Sequence, residues 1–153
     1  MNPWLILNDA VLFLCTSMYL GTGWSLVLFS FPQRRKLTVE NYYDQFVPQV
    51  ARATRFFTWM TVLMIATAIL MIVAERHSAY VIAPAVTLAG VLAATGLTKK
   101  FIFPYNERMA AHITDNAELQ EVLGRWMFLN VIRTSLWTAQ WVAMMTFFAL
   151  HLR

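Results

Sequence analysis

The sequence contains little of what most soluble enzymes are built from. Only 13% of its 153 residues are charged, five are glycine, and Cys15 is the single cysteine. One cysteine excludes an intramolecular disulfide and any CxxC redox or zinc motif. The Gly-rich phosphate-binding motifs and the G-x-S-x-G nucleophile motif are missing as well. The sequence therefore gives no support to nucleotide binding or serine hydrolysis.

The histidines do not form a pattern that is typical of metal or haem ligation. His77, His112 and His151 are far apart in the sequence, and none has a second ligand at helical spacing. We therefore predict no metal and no cofactor. The N-terminal stretch also lacks a basic segment and a small-residue cleavage site, which favours a retained first helix over a signal peptide.

Apolar residues are what the sequence has in abundance, at 59% of the chain. A soluble domain of this length could not bury so much apolar surface, because small domains have a high surface-to-volume ratio. Four segments approach or exceed the ~20 residues that cross a ~30 Å hydrocarbon core. They cover residues 4–31, 56–74, 80–97 and 123–150, all approximately. We predict an all-α polytopic membrane protein, a single membrane domain of residues 1–153 folded as an antiparallel bundle of four transmembrane helices.

The basic residues predict the orientation of this bundle. Nine of the twelve Lys and Arg residues lie in or beside two long connectors, approximately 32–55 and 98–122, namely Arg34, Arg35, Lys36, Arg52, Arg55, Lys99, Lys100, Arg108 and Arg125. The positive-inside rule places both connectors in the cytoplasm and both termini outside, in the cytoplasmic (inner) membrane. Topology explains the net charge of +4, so we expect no nucleic-acid partner.

Two short matches suggest an internal duplication. F-x-F-P occurs at Phe29–Pro32 and Phe101–Pro104, and R-x-x-x-W occurs at Arg55–Trp59 and Arg133–Trp137. A duplication would relate the first two helices to the last two about an axis along the membrane normal, as in transporters with parallel repeats. Coincidence is the alternative, because such matches arise easily in an aromatic-rich chain.

A polar stripe in the fourth segment is the strongest functional signal. Its members recur every three or four residues and so share one helix face: Trp126, Asn130, Arg133, Trp137 and Gln140. An ionisable group in a membrane segment is costly to insert and suggests a site. The structural alternative is that Arg133 pairs with a carbonyl or an acid and only fixes the bundle. The apolar run from 131 to 150 places Arg133 about one turn inside the cytoplasmic boundary.

Two further groups lie near the same boundary. Arg55 and Trp59 form a basic and aromatic edge at the start of the second helix, for which membrane anchoring is the alternative. Pro104 ends or redirects the third helix and leaves Asn106 at the cytoplasmic surface. These positions are at a depth where they could border a pocket that opens to the cytoplasm.

The segment from Phe103 to Ala139 resembles the C-terminal signature of the anthrone-oxygenase-like family, which are small four-helix membrane proteins. The family pattern is Pro-x-Asn at the end of the third helix, a polar helical connector, and W-x-x-x-N-x-x-R-T entering the fourth. The matching residues here are Pro104, Asn106, Trp126, Asn130, Arg133 and Thr134. The likeness is loose over the first helix. It implies oxidation of anthrones to anthraquinones by molecular oxygen, with no evident metal or flavin.

Two functions follow as expectations. The first is a cofactor-independent oxygenase, or a related enzyme, that acts on an apolar aromatic or quinone-like compound. Arg133 and Asn130 would be catalytic by stabilising a phenolate or enolate. Substrate binding would fall to Trp126, Trp137, Arg55, Trp59 and Asn106. The second function is a non-catalytic accessory or lipid- or quinone-binding subunit of a larger membrane complex.

The expected partners are membrane lipid and such a small molecule. Both a homo-oligomer and a larger complex stay open. A small transporter is a third function, supported only by the duplication.

Overall fold

The computed structural model describes residues 3–151, and these are helical over most of their length. The five α-helices are α1 (Pro3–Ser25), α2 (Tyr42–Glu75), α3 (Ile82–Leu97), α4 (Phe103–Ala110) and α5 (Asn116–His151). No strand occurs in this part of the chain. The all-α prediction is confirmed. The fourth predicted segment corresponds to α5, and α4 lies in the second predicted connector.

Two helices begin earlier than predicted, because the connectors have an apolar core of their own. α2 begins at Tyr42, where the sequence predicts a start near residue 56, and α5 begins at Asn116, where it predicts 123. The connector core is formed by Tyr42, Ile102, Met109, Ile113, Leu119, Val122, Leu123, Trp126 and Met127. The Tyr42 hydroxyl accepts a hydrogen bond from the Ile113 N–H at 2.6 Å and donates one to the Met109 carbonyl.

α1, α2, α3 and α5 pack as a ring in which each helix lies against two neighbours. α1 and α3 each pack on both α2 and α5, so that α2 and α5 stand at opposite corners. Neighbours run antiparallel. Asn8, early in α1, donates to the carbonyl of Thr67, late in α2, at 3.1 Å. Trp141, late in α5, donates to the Ser17 hydroxyl at 3.1 Å.

Three helical stretches of the described chain are long and apolar enough to cross a membrane: Pro3–Lys36, Tyr42–Glu75 and Ala79–Ala110. This result is consistent with a membrane protein. α5 is not among the three, because its inward face carries polar side chains such as Asn130, Arg133 and Gln140. Its outward face is nevertheless apolar, and Phe128 on that face is 64% exposed.

The two F-x-F-P motifs have the same local structure. α1 and α3 each pass into a five-residue π-helical turn, Leu26–Ser30 and Thr98–Ile102, and Phe-Pro follows directly in both cases. Pro32 and Pro104 both stand at the start of the next helical segment, where a proline's missing N–H is tolerated. This equivalence fits the duplication.

The two R-x-x-x-W motifs differ from each other in structure. Arg133 and Trp137 face the interior of the ring, whereas Arg55 is exposed and Trp59 is 77% exposed on the outside of α2. The inward positions of α2 are occupied by Thr54, Thr58 and Thr61, among others. The R-x-x-x-W match therefore gives no structural support to the duplication.

Candidate functional site

A cavity of about 820 Å³ lies inside the ring of helices. It extends from Asn106 and Trp126, at the connector end, to Gln140 and Met64, further along the bundle. All five helices contribute to its wall. Its volume falls in the range of pockets that hold small molecules or cofactors, about 300–1,000 Å³.

Arg133 is the arginine that borders this cavity, and three neighbours hold its side chain. Its Nη1 donates to the Thr98 hydroxyl at 3.3 Å, and its Nη2 donates to Oδ1 of Asn130. Its Cζ lies 4.7 Å from the centre of the Trp137 ring, which is a cation–π distance. Its Nε is buried without a hydrogen-bond partner among the described residues. The guanidinium thus keeps unused hydrogen-bonding capacity at the cavity wall.

Arg133 has no carboxylate partner between residues 3 and 151. The ion pairs in that range are Arg108–Glu118 in the connector and His151–Glu75 at the opposite end of the bundle. Among the described residues, Arg133 therefore does not pair with an acid. A buried charge without a counter-charge is costly. A planar guanidinium in this position suits an anionic or oxygen-bearing ligand.

Asn130 lies behind Arg133 and not at the cavity surface. It is 2% exposed, its Nδ2 donates to the Trp126 carbonyl at 2.8 Å, and its Oδ1 accepts from Arg133. Both polar atoms of the amide are thereby occupied within α5. The geometry gives Asn130 the role of positioning Arg133.

Two tryptophans of α5 contribute to the aromatic part of the cavity wall. Trp126 donates from Nε1 to Oδ1 of Asn106 at 2.7 Å, which ties α5 to α4 at the connector end. Trp137 packs edge-on against Tyr19 with ring centres 4.7 Å apart, and it lies beside Phe57. The structure thus brings four of the sequence-predicted residues to one cavity: Arg133, Trp126, Trp137 and Asn106.

Arg55 and Trp59 lie outside this group. Neither residue lines the cavity, and both are exposed on the outer face of α2. Successive residues of a helix are rotated by about 100°, so that a shift of one position changes the face that a side chain occupies. Thr54 and Thr58, each one position earlier, do line the cavity.

Several cavity residues were not singled out as site residues from the sequence. Tyr19 donates to the Phe57 carbonyl at 2.7 Å, and its hydroxyl is also 2.7 Å from that of Thr61. Thr98 accepts from Arg133, and its own hydroxyl donates to the Ala94 carbonyl. Tyr19 is the only tyrosine of the first predicted segment, which is a signal that could have identified it. Thr98 had no such signal, because only the packing of α3 on α5 brings it to Arg133.

The described lining of the cavity contains no Asp, Glu or His. Its titratable side chains are Arg133, Lys99 and Tyr19. The cavity therefore offers cationic and hydroxyl donors that could stabilise an oxyanion. It offers no carboxylate or imidazole that could remove a proton.

The chain matches no family model, no curated protein and no solved structure. The resemblance to the anthrone-oxygenase-like family thus rests on the residues that carry it. Function has to be argued from the cavity itself.

Proposed function

We propose that the protein spans the membrane four times and binds an apolar aromatic or quinone-like molecule in the cavity. The observation that carries this proposal is Arg133, a guanidinium at the cavity wall with no carboxylate partner between residues 3 and 151. A phenolate or enolate oxygen would supply the missing negative charge. The body of the ligand would pack against Trp137 and Phe57, which are two of the aromatic residues of the wall.

The outward surface of α5 supports its role as a fourth span. The large apolar side chains that are exposed on α5 are Phe128, Val131, Ile132, Val142, Met145 and Leu150. Its polar side chains Asn130, Thr134 and Gln140 are buried inside the ring. This arrangement suits a helix that faces lipid on one side and a polar interior on the other. The helix has 36 residues, more than the ~20 that a bilayer core requires.

The basic residues support an orientation with the connectors in the cytoplasm of the inner membrane. Arg34, Arg35 and Lys36 end the short helical segment Phe31–Lys36 beyond α1, and Lys99 and Lys100 lie in the π-helical turn that follows α3. By the positive-inside rule this end is cytoplasmic, and the described ends at Pro3 and His151 are on the outer side. The terminal residues 1–2 and 152–153, for which the sequence also predicts an outer location, lie outside the described residues.

Cysteine labelling tests this topology. Cys15 is 4% exposed within α1, so a Cys15→Ala background gives a chain without any thiol. Single cysteines would then replace the exposed residues His77, between α2 and α3, and Glu121, on the connector side. In spheroplasts we expect a membrane-impermeant maleimide to label the cysteine at 77 at once, and the cysteine at 121 only after permeabilisation. Labelling of the two sites in the reverse order would contradict the proposed orientation.

As an enzyme, the protein would be an oxygenase without a cofactor. Oxidation of an anthrone consumes one O₂: the ring CH₂ becomes a carbonyl with one oxygen atom, and the other oxygen leaves as water. Arg133, positioned by Asn130, would stabilise the anionic form of the substrate that reacts with O₂. Since the described lining has no acidic or imidazole side chain, the substrate must be acidic enough to lose its proton beside Arg133.

The lack of Asp, Glu and His in the described lining of the cavity favours a non-catalytic binding subunit as the second candidate. Such a subunit would hold a lipid- or quinone-like molecule at Arg133 without converting it. It could act alone, as a homo-oligomer or within a larger membrane complex. The oxygenase and the binding subunit would both bind the molecule in this cavity. A measurement of turnover therefore distinguishes between them.

Binding and oxygen uptake by protein in nanodiscs test the proposal. The probes are dithranol, an ionisable dihydroxyanthrone, and anthracene, which has three fused rings and no oxygen. We expect the protein to retain dithranol above the level of empty nanodiscs and to retain anthracene far more weakly. Oxygen uptake with matching anthraquinone formation, faster than in empty nanodiscs, supports the oxygenase. Binding without turnover supports the binding subunit, and equal retention of both probes would contradict the role of Arg133.

A further inference from the structure

Gln140 is another polar residue of the cavity wall, and its side chain has no partner among the residues that the structure describes. It is 1% exposed, and both its Oε1 and its Nε2 are buried without a hydrogen bond to any described residue. Buried side-chain polar atoms in proteins are in large majority hydrogen-bonded, because leaving them unsatisfied destabilises the fold. A carboxamide without hydrogen bonds at a cavity wall is an exception to this rule. A ligand in the cavity that bonds to it would satisfy both of its polar atoms.

The backbone of α3 is shaped around this carboxamide. A Cβ at Gly90 would lie 2.6 Å from Cγ of Gln140 and 2.7 Å from its Nε2. Any other residue at position 90 would therefore displace the Gln140 side chain. Gly96, on the same helix, has no such neighbour within 4 Å. Of these two glycines of α3, Gly90 is therefore the one that makes room for the Gln140 side chain.

Gln140 and Arg133 are on the same face of α5, at different depths of the cavity. They are seven positions apart, which is about two helical turns and about 10 Å along the helix axis. The wall between them is formed by Trp137 of α5, with Tyr19 and Phe57 packed around it. The cavity therefore has a cationic donor at one level, an aromatic wall next to it, and a neutral carboxamide beyond that.

We infer that the natural ligand is an elongated aromatic molecule with two polar ends. One end is the anionic or phenolic oxygen at Arg133, and the other is a hydroxyl or carbonyl group that bonds to Gln140. A carboxamide both donates and accepts, so it can recognise either group. This inference rests on the proposed binding function and adds the length of the ligand and its second polar group. A ligand whose oxygens lie on a single ring would leave Gln140 unsatisfied.

A matched pair of probes tests the second contact. Para-hydroxybiphenyl has an oxygen at one end only, and the para,para′-diol has oxygens at both ends, at a separation similar to that of the two residues. In nanodiscs, we expect the wild-type protein to bind the diol about tenfold more tightly, which corresponds to one net hydrogen bond that satisfies a buried group. In Gln140→Met the diol and para-hydroxybiphenyl should bind about equally, because the diol loses its second hydrogen bond.

A measurement without ligand separates this role from a structural one. Methionine has a similar volume and no hydrogen-bonding need, so Gln140→Met should raise the unfolding temperature of the ligand-free protein. A lower unfolding temperature, or a diol preference that survives in Gln140→Met, would overturn the inference.

Two further outcomes distinguish this inference from the proposed function. If the wild type binds both probes equally and Arg133→Gln binds neither, water satisfies Gln140: the proposed function stands and the two-ended ligand is wrong. If the wild type binds neither probe above empty nanodiscs, both proposals fail.

Discussion

Arg133→Gln is expected to weaken the binding of dithranol by about 100-fold, because the loss of one partner of a buried charged hydrogen bond costs several kcal/mol. Glutamine keeps a donor within α5 but removes the charge that would balance a phenolate. Asn130 positions the guanidinium, so Asn130→Ala should give a smaller loss in the same assay. The measurement is equilibrium binding in nanodiscs of fixed lipid composition, with empty nanodiscs subtracted.

The stability of Arg133→Gln makes this prediction specific to binding. Arg133 has no carboxylate partner between residues 3 and 151. Replacing it therefore leaves no buried carboxylate without a counter-charge. We therefore expect an unfolding temperature equal to or above that of the wild type. Arg125→Gln is the matched control, because Arg125 is an exposed arginine of the same helix that does not line the cavity. Full binding by Arg133→Gln, or an equal loss in Arg125→Gln, would contradict the assignment.

Gly23→Ala and Gly21→Ala are expected to change stability in opposite directions. A Cβ at Gly23 would lie 2.7 Å from Oγ1 of Thr134 and 2.9 Å from Cε3 of Trp137, both buried side chains of α5. α1 and α5 would have to separate, and overpacking of this kind costs about 1–3 kcal/mol. The same change should also displace Trp137 from its position in the cavity wall and weaken dithranol binding.

Gly21 provides the control within the same helix. A Cβ there would meet nothing within 4 Å, and the residue is exposed. Alanine is a better helix former than glycine, by about 0.5–1 kcal/mol, so Gly21→Ala should be neutral or stabilising. Thermal unfolding of both variants in one detergent gives the comparison. Equal effects of the two substitutions would show that α1 does not approach α5 as closely as the structure has it.

The apolar segments of the chain are sufficient to predict an all-α fold, and three of the four predicted spans coincide with helical stretches that are long and apolar enough to cross a membrane. Residues 56–74 and 80–97 lie within helices whose apolar character depends on local sequence alone. The early starts of α2 and α5 could not be predicted in this way. They depend on contacts between distant residues, such as the hydrogen bonds of Tyr42 with residues 109 and 113.

In the candidate site, too, local sequence predicts the part that lies on one helix but not the part that depends on packing between helices. The stripe that contains Arg133 and Trp137 lies on one helix, and its periodicity predicts a common face, which is what the structure has. Arg55 and Trp59 are predicted as site residues from their position at the start of the second predicted helix. The face of α2 that turns inward is set by its packing on α1 and α3, which a local match does not contain.

The two π-helical turns have a consequence for insertions and deletions in this chain. A π turn accommodates one residue more than the α-helix around it. Deleting one residue from Thr98–Ile102 would leave an α-helical turn in its place and would change the direction in which the following residues face only slightly. Deleting one residue within α3 itself would instead rotate every later residue by about 100° relative to the helix before it, and Asn106 would lose its hydrogen bond with Trp126. Chain length is therefore more restrictive for the cavity within the α-helices than at these two turns.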